Sequence, residues 1–149
     1  MKSRLVWQQA GERTFVLVLE SGEEAFSAIT EFAAGNQLSG AALTALGAFE
    51  RASVGWFDLA ARTYRAIEVG EQCEGLSLLG DIALGDDGKP SLHMHAVLGL
   101  SDGSTRGGHL LEGCVRPTLE VTLTETPAHL RRRKRAELGI ALIDLAASA

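Results

Sequence analysis

Three of the four histidines in this 149-residue chain, His93, His95 and His109, fall in one short stretch of the sequence. Two histidines at positions i and i+2 of a β-strand project from the same face. Two imidazoles on one strand and a third on a neighbouring strand are a common ligand set for a divalent ion that keeps one coordination position open. The spacing therefore predicts a metal site, with zinc as the first choice. The competing interpretation is a polar rim of a cleft that binds no metal.

The segment around His93 and His95 alternates in the way typical of a half-buried β-strand. One face carries the two histidines. The other face is entirely apolar and consists of Leu92, Met94, Ala96, Leu98 and Leu100. Because the apolar face should pack on a core, we expect both imidazoles to point away from it, toward solvent, a cleft or another subunit.

His109 joins this pair only in certain registers of a hairpin. Residues 101–104 (Ser-Asp-Gly-Ser) predict the turn. A two-residue loop there would place His109 opposite Ala96, on the apolar face. A three-residue loop would place it opposite Val97, on the histidine face, and a bulge at Gly107-Gly108 would give the same shift. The metal hypothesis thus requires an irregularity in the hairpin, and without one His109 is a surface residue.

Three ionisable residues are further candidates for chemistry beside the histidines. Glu74 and Glu112 could act as acid or base, and Arg116 could bind an anion next to a metal. Glu112 lies three positions past His109, so it faces the opposite side of an unbroken strand and needs a bulge to reach the site. For each of the three, a surface salt bridge is the competing interpretation.

Five consecutive cations near the C-terminus form a candidate nucleic-acid contact: Arg131, Arg132, Arg133, Lys134 and Arg135. Such a run is typical of a phosphate-binding patch. The alternative, a solvated loop or helix end, is favoured by the net charge of −5 and by the lack of an interleaved aromatic residue that could stack on a base. We therefore expect any DNA binding to be weak.

Composition predicts a single globular domain over residues 1–149. Hydrophobic residues make up 46% of the chain, charged residues 22% and aromatic residues 5%, so the core should be mainly aliphatic. No apolar run approaches the length of a membrane span, and the N-terminal residues lack the apolar segment of a signal peptide. We expect a cytoplasmic protein with no membrane partner.

The secondary-structure pattern predicts one amphipathic helix over Gly22 to Ala34, capped by Ser21 and Glu24. Its apolar face should cover the sheet. The remaining segments favour strands and turns, and the apolar Ile140 to Leu145 should be a final strand that docks on the sheet. The strands expected before that one are residues 4–8, 14–20, 40–50, 53–58, 63–69, 76–84, 92–100, 105–111 and 118–124.

The ordered motifs of the chain resemble the PPC domain (plants and prokaryotes conserved domain), in its stand-alone prokaryotic form. They are Cys73 to Gly80 (CEGLSLLG), Leu92 to His95 (LHMH), Asp102-Gly103 and Gly107 to Leu110 (GGHL). The resemblance implies an α+β fold, a curved and mostly antiparallel β-sheet with one main helix packed against it, assembled as a homotrimer. The fold is also similar to that of acetolactate decarboxylase, whose zinc is held by three histidines, which strengthens the expectation of a metal here.

Two functions remain open on the sequence. The first is a trimeric interaction or regulatory module, with DNA as a candidate partner and a three-histidine site that binds a divalent metal. The second is a metal-dependent, zinc-like enzyme acting on a small anionic substrate, with the metal as Lewis acid or water activator. The sequence places no acid/base pair with certainty, which favours the first.

Overall fold

A computed structural model describes residues 1–126 and 128–148. Within them the chain forms one helix and nine strands. The helix is α1 (Ala25–Gly35). The strands are β1 (Lys2–Gln9), β2 (Glu12–Glu20), β3 (Gly40–Asp58), β4 (Thr63–Val69), β5 (Cys73–Leu84), β6 (Pro90–Gly99), β7 (Thr105–Glu125), β8 (Arg132–Arg135) and β9 (Ile140–Ile143).

Seven strands form one antiparallel sheet in the order β1-β2-β7-β6-β5-β3-β4. The long strand β7 also pairs with β3, so the path β7-β6-β5-β3 closes on itself. Such closure requires strongly curved strands, and register shifts in the β3–β5 and β3–β7 ladders supply the irregularities that accompany the bend. The predicted α+β architecture with a curved, mostly antiparallel sheet is confirmed.

The helix packs on the sheet as expected, through the buried side chains of Ala25, Ile29 and Ala33. Its predicted start was wrong. Glu24 is the N-cap, and its carboxylate accepts from the backbone N–H groups of Phe26 and Ser27 at 3.0 and 2.7 Å. The same carboxylate also accepts from the Gly113 N–H at 3.1 Å, which ties the start of α1 to β7.

Two strands are longer than predicted, because each includes two of the predicted strands and the residues between them. The segments 40–50 and 53–58 are parts of β3, and the segments 105–111 and 118–124 are parts of β7. The core between sheet and helix is mainly aliphatic, as the composition predicted. Its largest fully buried side chains are Leu17, Leu19, Ile29, Leu38, Leu43, Phe49, Leu78, Ile82, Met94, Leu98, Leu110 and Leu119.

The predicted C-terminal strand is present as β9, which is shorter than the predicted segment Ile140 to Leu145 and is not hydrogen-bonded to the main sheet. Instead, β9 pairs with β8 in a separate two-stranded sheet, Arg132 opposite Ile143. A parallel bridge between Leu84 and Arg131 joins this small sheet to the end of β5. Within the described residues, no helix has the length and apolar character that crossing a membrane requires.

Candidate metal centre

The β6–β7 hairpin brings the third histidine to the other two. The backbone N–H of Leu100 donates to Ser104 O at 2.9 Å, which closes a three-residue loop ending at Gly103. Gly103 has φ +80°, a conformation that favours glycine. His109 then lies directly opposite His95. The loop has the predicted length but begins one residue earlier than predicted, so the partner is His95 and not Val97, on the same face of the sheet.

Gly107 and Gly108, which precede His109, do not form the bulge that was considered for them. The β6–β7 register runs without a shift through Gly107 and Gly108, so the bulge alternative was wrong. A Cβ on Gly108 would lie 2.6 Å from the carbonyl oxygen of Gly55, closer than real Cβ contacts allow. Glycine at this position therefore lets β3 approach β7 beside the histidines.

The three imidazoles converge on one point. Ligand nitrogens of His93, His95 and His109 all lie within 4.8 Å of one another. The ring centroids are 5.0 Å apart for His93 and His95 and 5.1 Å apart for His93 and His109. Such a set offers three imidazole nitrogens from two adjacent strands, an arrangement that suits an open tetrahedral metal site.

Two of these rings have pKa values below the ordinary value for histidine. Desolvation, helped by the charges of His93, His95 and Arg132, lowers the pKa of His109 to about 4. Desolvation and the neighbouring His93 also lower the pKa of His95. Neutral imidazole is the form that binds metals. In addition, the Nδ1 atom of His109 is buried without a hydrogen-bond partner among the described residues, and a buried imidazole nitrogen left in this way suits an added ligand. The donor set thus fits a divalent ion.

Asp81 contacts His93, and Arg132 contacts Asp81 in turn. Asp81 lies opposite His93 on β5, with Oδ2 at 3.6 Å from its Nδ1. Asp81 also accepts a hydrogen bond from Arg132, whose side chain is only 5% exposed and donates to Ser91 O at 2.7 Å. Burial alone would raise the pKa of Asp81, but the contacts with His93 and Arg132 outweigh it and lower the pKa. A carboxylate beside one nitrogen of a ligand histidine is the usual means of orienting its ring toward a metal.

A cleft of about 490 Å³ opens beside His93 and His109. The ring of Tyr64 stacks on that of His109 at 4.8 Å between centroids and forms one wall. Arg132 and Asp81 line it as well, and β9 contributes an apolar wall through residues 140–143. His95 lies on the outer side of the group and is exposed.

The structure does not bring the other three candidates into this cleft. Glu74 lies at the far end of β5 from Asp81, opposite Gly99. Glu112 lies 3.8 Å from Arg51 in an exposed ion pair, the interpretation that competed with a role in the site. Arg116 is exposed and is not among the residues that line the cleft.

The cationic run forms a strand, where the sequence suggested a loop or helix end. Three of its five members are engaged in ion pairs: Arg132 with Asp81, Arg133 with Asp86 at 3.0 Å, and Arg135 with Asp144 at 3.4 Å. Arg132, predicted as a nucleic-acid contact, is buried beside the histidines. Sequence reasoning missed Asp81 and Tyr64 as site residues. The turn at residues 85–89 carried a usable signal for Asp81, because it sets the hairpin register that places Asp81 opposite His93.

The comparisons with known proteins agree with this architecture. The family model of the Plants and Prokaryotes Conserved (PCC) domain matches residues 8–127, most of the chain. The chain belongs to the PCC domain family. A plant- and prokaryote-conserved protein from Pyrococcus horikoshii is 31% identical, with 89% of this chain and 91% of that chain covered and a TM-score of 0.83. No curated protein matches the sequence.

Two further solved structures share the fold. A metal-containing protein from Archaeoglobus fulgidus is 28% identical, with 97% of this chain and 99% of that chain covered and a TM-score of 0.81. A protein from Bacteroides thetaiotaomicron, provisionally described as DNA-binding, has a TM-score of 0.84 over 89% of this chain and 92% of that chain. Its identity of 22% shows a common fold and no more.

Proposed function

We propose that this PCC domain is a self-associating module that holds a divalent metal, zinc as the first choice, on His93, His95 and His109. The observation that carries the proposal is the convergence of three imidazoles, together with the buried, unpartnered Nδ1 of His109. The metal-containing relative from Archaeoglobus fulgidus, which matches nearly the whole chain, supports it.

The residues around the proposed metal have two different roles, as ligands and as groups that orient a ligand. His93, His95 and His109 would supply the ligand nitrogens, and Asp81 would fix the orientation of His93. A bound divalent ion supplies Lewis acidity. Tyr64, stacked on His109, and residues 140–143 of β9 would form the walls of the cleft beside the metal.

Homotrimeric assembly is part of the proposal. An outer apolar patch beside the exposed His95 consists of Leu46, Leu76, Leu79 and Val97, with exposed fractions of 62%, 52%, 59% and 42%. Apolar side chains exposed together favour contact with another protein surface. We propose that two further copies of the chain cover this patch. Light scattering at micromolar concentration tests the assembly: a trimer is expected, and a monomer would contradict it.

A second candidate function is a metal-dependent enzyme that acts on a small anionic substrate. The observation that favours it is the position of Arg132, a buried cation that lines the same cleft as His93 and His109. A cleft of about 490 Å³ is of the size that small-molecule sites have. In this candidate function Arg132, in place of Arg116, would be the anion contact, in addition to its ion pair with Asp81.

We propose that any binding of DNA by this chain is weak and depends on Arg131 and Lys134. Among the described residues, Arg131 and Lys134 are the members of the cationic run that take part in no ion pair. Few unpaired cations on an acidic chain predict weak, salt-sensitive binding. Binding that persists at nanomolar concentration near physiological salt, after Arg131 and Lys134 are replaced by glutamine, would contradict this.

Metal analysis of protein purified without a histidine tag tests the proposed site. We expect about one metal ion per chain, because three imidazoles supply one open tetrahedral site. Mass spectrometry of the acid-digested protein identifies the element. Metal-free protein that also fails to bind added zinc or another divalent ion at micromolar concentration would exclude the site.

A further inference from the structure

A second cavity lies away from the histidines, where the end of α1, the β5–β6 turn and residues 128–131 meet. We call it the basic hollow. Its volume is about 610 Å³. It combines polar and apolar walls. The residues that matter for its chemistry are Ser39, Lys89, His129 and Arg131 on the polar side and Leu84 and Pro90 on the apolar side.

The side chains that line the basic hollow include two cations and no acid, although the carboxylate of Asp87 accepts from the backbone N–H of Lys89 at 3.0 Å. The two cations are Lys89 and Arg131. Neither cation takes part in an ion pair among residues 1–126 and 128–148, whereas Arg132, Arg133 and Arg135 each have an acidic partner. In a chain with a net charge of −5, a concave site that keeps two unpaired cations favours an anionic ligand.

The backbone that carries these groups is fixed from both sides. The Leu130 N–H donates to Ser39 O at 3.0 Å, and the Leu84 N–H donates to Leu130 O at 2.8 Å. On the opposite wall, the Gly85 N–H donates to Lys89 O at 2.8 Å and closes the turn. Because these backbone segments are already ordered, ligand binding has to order only the side chains.

Ser39 and His129 add hydrogen-bond donors to the two charges. The Ser39 hydroxyl and His129 Nδ1 share a hydrogen bond. If the hydroxyl donates, Nδ1 is the acceptor and the ring proton sits on Nε2, where it is available to a ligand. If the ring is protonated, its Nδ1–H donates to the Ser39 oxygen, and both the Nε2–H and the hydroxyl proton are available. A free donor therefore remains in either protonation state.

We propose that the basic hollow binds the terminal phosphate of a small organic phosphomonoester. The guanidinium fork of Arg131 matches two phosphate oxygens, and Lys89 adds a point charge. A phosphomonoester carries nearly two negative charges at neutral pH and three acceptor oxygens, which suits two cations and an additional donor. The apolar wall of Leu84 and Pro90, both partly exposed, would contact the organic part of the ligand.

Phenyl phosphate is a suitable probe, followed by two-dimensional amide NMR at constant ionic strength. We expect saturable shifts at the amides of Ser39, Lys89 and Arg131. Arg131→Gln and Lys89→Gln should each weaken the affinity about tenfold, because each removes a charge-assisted hydrogen bond. Lys89 lies in an exposed turn, so its variant tests the site even if the Arg131 variant is unstable.

Lys134→Gln is the matched control, because it removes the same charge from the same cationic run outside the hollow. We expect it to leave the affinity unchanged to within about twofold. Equal weakening by Lys134→Gln, or the absence of shifts at the three amides, would overturn the proposal. A short DNA duplex that displaces phenyl phosphate at equal phosphate concentration would also overturn it, since the phosphate would then come from nucleic acid.

Discussion

The two faces of β6 differ completely in what surrounds them. On the inner face, Leu92, Met94 and Leu98 are buried against the helix and the opposite strands. On the outer face, His93 and His95 point toward a third histidine and the surface. The stability of the fold and the chemistry of the site therefore depend on alternate residues of one strand. Single substitutions should change one of these two properties without the other.

The largest expected effect is on the inner face. Met94 is fully buried, and Met94→Ala should lower the free energy of unfolding by about 2–5 kcal/mol because it leaves a cavity in the core. Chemical denaturation of the metal-free protein measures this change. The folded fraction should still bind as many metal ions per chain as the wild type. A stable variant that has lost its metal would contradict the division between the faces.

On the outer face, His95→Ala should abolish metal binding while the fold remains intact. His95 is exposed, so the free energy of unfolding of the metal-free protein should change by less than about 0.5 kcal/mol. His129→Ala is the matched control, since it removes a histidine outside the site. Equal metal content in the two variants would show that the three-histidine group is not the binding site.

Behind the histidines, Asp81→Asn should weaken the metal affinity about 10–100-fold, because the ring of His93 loses the carboxylate that orients it. Competition with a chelator of known affinity measures the change. Asp86→Asn is the control, because Asp86 pairs with Arg133 outside the cleft. If both variants keep the wild-type affinity, Asp81 has no role in positioning His93.

The smallest effect is expected for Glu112, which lies in the strand of His109 but outside the cleft. Glu112→Gln removes only an exposed ion pair with Arg51 and should leave the metal affinity within about twofold of wild type. The same chelator competition measures it. A loss as large as that of Asp81→Asn would mean that Glu112 reaches the metal.

Local periodicity was sufficient to predict one part of the site. The alternation of residues 92–100 placed His93 and His95 on the non-core face. His109 joins them through a three-residue loop, one of the alternatives that the sequence left open. The start of that loop could not be predicted, because several turn residues occur in succession and each gives a different partner for His109.

The contacts that Asp81 and Arg132 make beside the histidines were not predictable from local sequence patterns. Asp81 reaches His93 through the register of another hairpin, and Arg132 reaches Asp81 from a distant part of the sequence. A run of cations normally predicts a solvated surface, and nothing local distinguishes the one member that turns inward. Its burial follows from the pairing of β8 with β9 and from the parallel bridge at Arg131, both of which are tertiary features.

The most direct test of the metal centre is anomalous X-ray diffraction from crystals of the untagged protein, recorded on both sides of the zinc absorption edge. We predict one anomalous peak per chain between the imidazoles of His93, His95 and His109, at about 2.0–2.1 Å from a nitrogen of each. After soaking with zinc, no peak at this position, or a peak elsewhere on the chain alone, would contradict the proposed site.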